Sequence, residues 1–144
     1  MVCSSPQFLS LLTPTPASAV HVGSGCAAGP PPVLDALEQP RLGEPAFALE
    51  VATGAPNAPT LFVLGLAANN LALGNGCTLL VAQAFAPIGA VANAAGISTL
   101  PLPIPSLPLL RGLGVRAQAA VADPARGAFG GCTLTNGLLL RPGD

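Results

Sequence analysis

"LPLPIPSLP", residues 100–108, sets prolines among leucines and an isoleucine without one charged residue. In an extended strand, residues two apart send their backbone N–H groups to the same side. Pro101, Pro103 and Pro105 are two apart, so all their missing donors fall along one side. Leu102 and Ile104 keep theirs for a neighbour on the other. Such a strand fits only at the edge of a sheet, where its outer side is blunted against further pairing. A polyproline II linker would instead leave Leu102 and Ile104 exposed without a reason. The stretch therefore predicts a sheet protein with a proline-blunted edge strand.

The surrounding composition agrees. The chain has 144 residues, enough for one domain with a core and too few for two comfortable ones. Charged residues make up 8%, where an ordinary soluble domain carries about 25%. Lysine, tyrosine and tryptophan are absent, and the 60 residues between Glu50 and Arg111 carry no charge. A membrane-spanning helix needs about 20 consecutive apolar residues. Pro56, Asn57, Pro59, Asn69, Asn70, Asn75, Pro87 and Asn93, with the prolines at 101–105, cut this run into strand-length pieces. No transmembrane segment is expected. The 17 glycines and 17 prolines disfavour long helices. Disorder is disfavoured too, because disordered chains are poor in hydrophobic residues and rich in charge.

Six segments read as strands: 46–53, 60–66, 77–85, 97–104, 115–123 and 132–141, with a weaker one at 33–37. In "AFALEVAT" Phe47, Leu49 and Val51 alternate with polar or small residues, and "VRAQAAVAD" alternates in the same way. "TLFVLGL" is continuously apolar, which predicts burial on both faces or cover by a partner. Asn75-Gly76 signals a tight turn, Asn136-Gly137 a bulge or turn, and Asn69 and Asn70 suit turn duty. The expected fold is all-β: a two-sheet sandwich of six to eight short strands with jelly-roll or Greek-key connections.

Cys3, Cys26, Cys77 and Cys132 are widely spaced, with no C-x-x-C pair. That spacing argues against a compact zinc site and for disulfides formed in an oxidising compartment. Three connectivities remain open, and buried free thiols are the alternative. At the N-terminus "FLSLL" and "ASA" are faintly signal-like, but no basic residue precedes them. Residues 1–19 are expected to stay in the mature chain as an extended assembly arm, ahead of a sandwich domain at 20–144; the alternative is that the arm folds back on its own domain. The arm carries Phe8, Leu9, Leu11 and Leu12, and Pro14 and Pro16 stiffen it. Cys3 is then placed to bridge to Cys132 of the same or a neighbouring subunit.

The order of "GSGC" (23–26), "PRLGEPAFALEV" (40–51), "GAPNAPTLFVLGL" (54–66), "GCTLLV" (76–81), "GISTLPLPIPSLPLLRG" (96–112), "VRAQAAVADP" (115–124) and "TNGLLL" (135–140) resembles one family. These are the short C-terminal β-domains of large secreted proteins from planctomycetes and related bacteria. The resemblance covers about residues 20–141. It implies a secreted, non-catalytic β-sandwich that serves as an accessory to something larger. Cys26 and Cys77 match the family's cysteine positions, so the resemblance implies that they pair. Cys3 and Cys132 lie outside the pattern, and the chain is expected to stand without a large upstream region. Both departures favour a stand-alone structural subunit.

Chemistry is sparse. His21 is the single histidine, so any nucleophile–His pair would have to use it, and it lacks the neighbours that such a site needs. No catalytic, metal or cofactor residue is expected. Asp35, Glu38, Glu44 and Glu50 are spread too widely for a calcium loop and read as a solvated face. "GSGC" lacks the Gly-Lys-Ser/Thr of a phosphate loop and reads as a turn presenting Cys26. Five arginines without lysine, and five scattered phenylalanines, do not make a nucleic-acid surface.

What remains is a surface with few charges, which favours association. The expected function is a non-catalytic secreted structural subunit that assembles with itself into an extracellular filament or surface layer. The alternative is a module that binds envelope glycan, although the absent tryptophan and tyrosine weaken it.

Overall fold

Apolar segments bounded by turns pair here into two antiparallel sheets packed face to face. The computed structural model describes residues 16–128 and 130–144. Among them lie nine strands: β1 (Ser18–Val22), β2 (Val33–Ala36), β3 (Ala48–Ala52), β4 (Pro59–Gly74), β5 (Cys77–Val91), β6 (Ile97–Pro101), β7 (Val115–Ala122), β8 (Cys132–Leu134) and β9 (Gly137–Arg141). The larger sheet runs β1-β9-β7-β4-β5 with β8 paired to β7, and the smaller runs β2-β3-β6. The chain passes between the sheets four times, so the connections are crossovers and not a simple meander. The molecule is a β-sandwich.

Strand alternation builds the core. Phe62 and Leu64 of β4, Ala117, Ala119 and Val121 of β7, and Leu138 and Leu140 of β9 face Leu34, Phe47, Leu49, Val51 and Leu100 of the smaller sheet. Phe62, Leu49, Val51 and Leu138 are fully buried. Removing an aromatic side chain such as Phe62 from this interior would cost about 3–5 kcal/mol.

Several expectations are corrected. β4 and β5 are 16 and 15 residues long and extend well past 66 and 85. They join at Asn75-Gly76, whose positive φ values of 55° and 80° make a two-residue hairpin turn that matches strand twist. Asn69 and Asn70 do not turn the chain. They lie inside β4, where the pairing register shifts between Ala68 and Leu71. The segment 132–141 is two strands, because β8 pairs β7 beside Ala120–Ala122 while β9 pairs β7 at Val115–Ala117 and β1 on its other side. Ser18 and Ala19, counted with the arm, belong to β1.

The long hairpin bends. Its register shifts at Leu64/Gly65, and Gln83 has φ 52°. A Cβ on Gly65 would collide with the Ala82 carbonyl oxygen and Val81 Cγ1, so only glycine permits this close approach. Beyond the bend, the hairpin tip folds over the outer face of the larger sheet. There Cys26, Cys77 and Leu134 form a second small core with Leu73, Ala120 and Ala128. Gln118, an outward residue of β7 that is only 2% exposed, ties this layer down. Its Oε1 accepts from Leu80 N–H at 2.9 Å, and its Nε2 donates to the carbonyls of Thr78 and Thr135 at 3.0 Å.

Candidate interaction surface

A sandwich has four sheet edges, and the hydrogen-bonding phase of each strand decides which are open. In the smaller sheet, Leu102 N–H donates to Phe47 O at 2.8 Å and Ile104 N–H to Glu44 O at 2.9 Å. The backbone pairing of β6 thus continues past its regular end at Pro101. Even residues face β3, and Pro101, Pro103 and Pro105 turn their donorless side outward. Ile97 N–H, on that same side, is taken by Asn93 Oδ1 at 3.0 Å. The edge is blunted.

The opposite edge, β2, is closed by side chains. Leu37 N–H donates to Ala48 O, which sets the odd residues of β2 toward β3 and leaves Leu34 and Ala36 facing out. Leu34 N–H donates to Asn136 Oδ1 at 2.9 Å, and Asn136 Nδ2 donates back to Leu34 O at 3.1 Å. Ala36 N–H donates to Asp35 Oδ1 at 2.9 Å.

The larger sheet is different. At its β1 end, Ala19 and His21 turn their backbone groups away from β9, and these have no hydrogen-bond partner among the described residues, beside the charged side chain of Asp35. The β5 end is open too. Ala92 N–H donates to Ala58 O, so Ala86, Ile88 and Ala90 of β5 face β4. The contacts on the far side of β4 agree, since Thr135 N–H donates to Ala119 O and leaves Gln118 and Ala120 to pair with β4. Pro87, Gly89 and Val91 therefore direct their backbone groups away from the sheet. Pro87 has no donor there, but its carbonyl and both groups of Gly89 and Val91 have no hydrogen-bond partner among the described residues. Val91 is 67% exposed and Phe85 54%, and Leu61, beside Gly89 on the outer face, is 43% exposed. "TLFVLGL" is thus not covered on both faces: Phe62 and Leu64 are buried while Leu61 stays open.

The other singled-out residues are dispersed. Cys26 and Cys77 form a disulfide that pins the hairpin tip to the bridge between Cys26 and Leu134. Cys132, on β8 and partly buried, is free among the described residues. Cys3, Phe8, Leu9, Leu11 and Leu12 lie outside the described residues, so the arm and the Cys3–Cys132 bridge do too. His21 stands on β1, with Nε2 3.2 Å from Asp35 Oδ1, and Asp35 is the cross-strand partner of Glu50. No serine, threonine or cysteine joins that pair among the described residues. The acidic residues gather no metal-binding group there either. Among the described residues no helix is long and apolar enough to cross a membrane.

The free edge at 87–91 escapes a sequence reading that treats Pro87 as a strand terminator. The signal lay in "FAPIGAV": Phe85, Pro87, Gly89 and Val91 share one phase, as Pro101, Pro103 and Pro105 do. The sequence matches no protein-family model and no curated protein.

Proposed function

We propose that this chain is a non-catalytic structural subunit that works outside the cell by assembling with copies of itself. The observation that carries the reading is the free edge of β5. Its unpaired backbone groups stand beside exposed, uncharged Leu61, Phe85 and Val91. In the smaller sheet, by contrast, β2 is held by Asn136 and Asp35, and the outward side of β6 keeps one open donor among the described residues, at Thr99. Exposed strand edges recruit further strands, and proteins that stay single blunt them with charge or proline. Here no charged residue stands anywhere on β4 or β5, and Pro87 removes only one donor.

The Cys26–Cys77 disulfide supports an oxidising compartment. The resemblance to secreted β-domains points the same way. Negative-stain microscopy of the native, oxidised protein tests the function. Fibres, sheets or closed particles are expected. A monomer retained on cell-wall polysaccharide would instead favour the glycan-binding module.

A further inference from the structure

We infer that the β5 edge is covered by the β5 edge of a second copy, paired antiparallel about a two-fold axis at Gly89 or the adjacent Ala90. This rests on the self-assembly reading and names one of its interfaces: a two-fold pair closes at two copies, so fibres or sheets would join such pairs through a second contact. The register follows from phase. Only outward-facing residues can exchange backbone bonds, and on β5 these are Pro87, Gly89 and Val91. Placing Gly89 opposite the partner's Gly89 sets each Val91 opposite the partner's Pro87. The central pair then exchanges both hydrogen bonds, and each Val91 N–H donates to the partner's Pro87 carbonyl. The lost Pro87 donor leaves only one acceptor of the partner's Val91 without a bond. Shifting the register by two residues toward Pro87 would use fewer of these groups, whereas shifting it the other way, onto an axis at Ala90, makes as many bonds and leaves only the Pro87 carbonyls open.

Charge and shape favour a copy over an unrelated strand. Pairing about a two-fold axis sets every residue near the axis against itself or a close neighbour, and like charges directly opposite are destabilising. β5 has none. A Cβ built on Gly89 meets nothing within contact distance, so the outer face of the sheet is open at this position. On the outer face, exposed Val91 would lie against the partner's Pro87 or Gly89, extending the apolar row that begins at Leu61. Such symmetric, self-complementary contacts are the commonest form of homo-oligomer interface.

The test is residue-resolved amide exchange on the full chain, together with the variant Gly89→Lys. The added side chain has room in the monomer but sets two ammonium groups close together across the pair. In assembled wild type the Gly89 and Val91 amides are expected to exchange slowly. Gly89→Lys is expected to lose assembly while keeping its sheet signal and its disulfide. Val91→Lys gives the same readout should the first variant fail to fold, and Leu109→Lys, at an exposed position away from β5, should assemble normally.

Assembled protein with a fast-exchanging Val91 amide would overturn the inference while sparing self-assembly. So would normal assembly of a folded lysine variant, or protection that vanishes when residues 2–15 are deleted. A wild-type chain that never assembles would overturn the self-assembly reading itself.

Discussion

The side-chain amide of Asn136 and the backbone of Leu34 hydrogen-bond in both directions, at 2.9 and 3.1 Å, from one sheet of the sandwich to the other. Asn136 follows β8 in the larger sheet, and Leu34 is the fully buried centre of β2. The amide acts as a one-residue strand: it accepts from the N–H and donates to the carbonyl as a neighbouring backbone would. Asn136→Ala orphans both groups. Each buried unsatisfied group costs about 1–3 kcal/mol, so a loss of roughly 2–6 kcal/mol is expected in urea unfolding. Asn136→Asp keeps the acceptor but loses the donor, and it should recover stability as acid protonates the carboxylate.

Gln118 does the corresponding work on the outer face, where it holds three backbone groups of the folded-over hairpin tip and the Thr135 corner. Gln118→Leu fills similar volume without satisfying any of them. At the same cost per group, a destabilisation of at least about 3 kcal/mol is expected. Exchange of the Leu80 amide should rise with it. An unchanged Leu80 amide would mean that the tip is held by its apolar contacts alone.

The Cys26–Cys77 bridge closes a loop across a sequence separation of 51. In the chain-entropy account, that closure stabilises by roughly 4 kcal/mol. Paired replacement by alanine should lower stability by about that amount, and non-reducing peptide mapping should find Cys26 joined to Cys77 and to nothing else.

The sandwich class, the hairpin turn and the proline edge were legible because each rests on local rules. Asn75-Gly76 allows positive φ at both positions, and proline spacing sets a strand's phase whatever surrounds it. The length of β4 and β5 was not legible. Asn69, Asn70 and Pro87 look like breakers, but a bulge absorbs the asparagines and an open edge tolerates the proline. β1 was hidden for a different reason, since "SAVHV" has little apolar contrast and is held by its pairing with β9. The caps by Asn136 and Gln118 depend on partners 102 and 38–40 residues away, which no local pattern announces.

His21 and Asp35 make a surface pair, 48% and 63% exposed. Exposed pairs contribute about 0–1 kcal/mol. His21→Ala should therefore remain folded, with a stability change under about 1 kcal/mol, and should assemble as wild type does. A folded His21→Ala protein that lost its function would show that this residue does more than join β1 to β2.

Sedimentation velocity of the oxidised full chain, run over a wide concentration series, decides whether the chain associates with itself. Self-association through an open sheet edge predicts species that grow beyond the monomer as concentration rises. It also predicts that Gly89→Lys abolishes this growth. A single boundary at the 14.1 kDa monomer mass across the whole series would contradict the account.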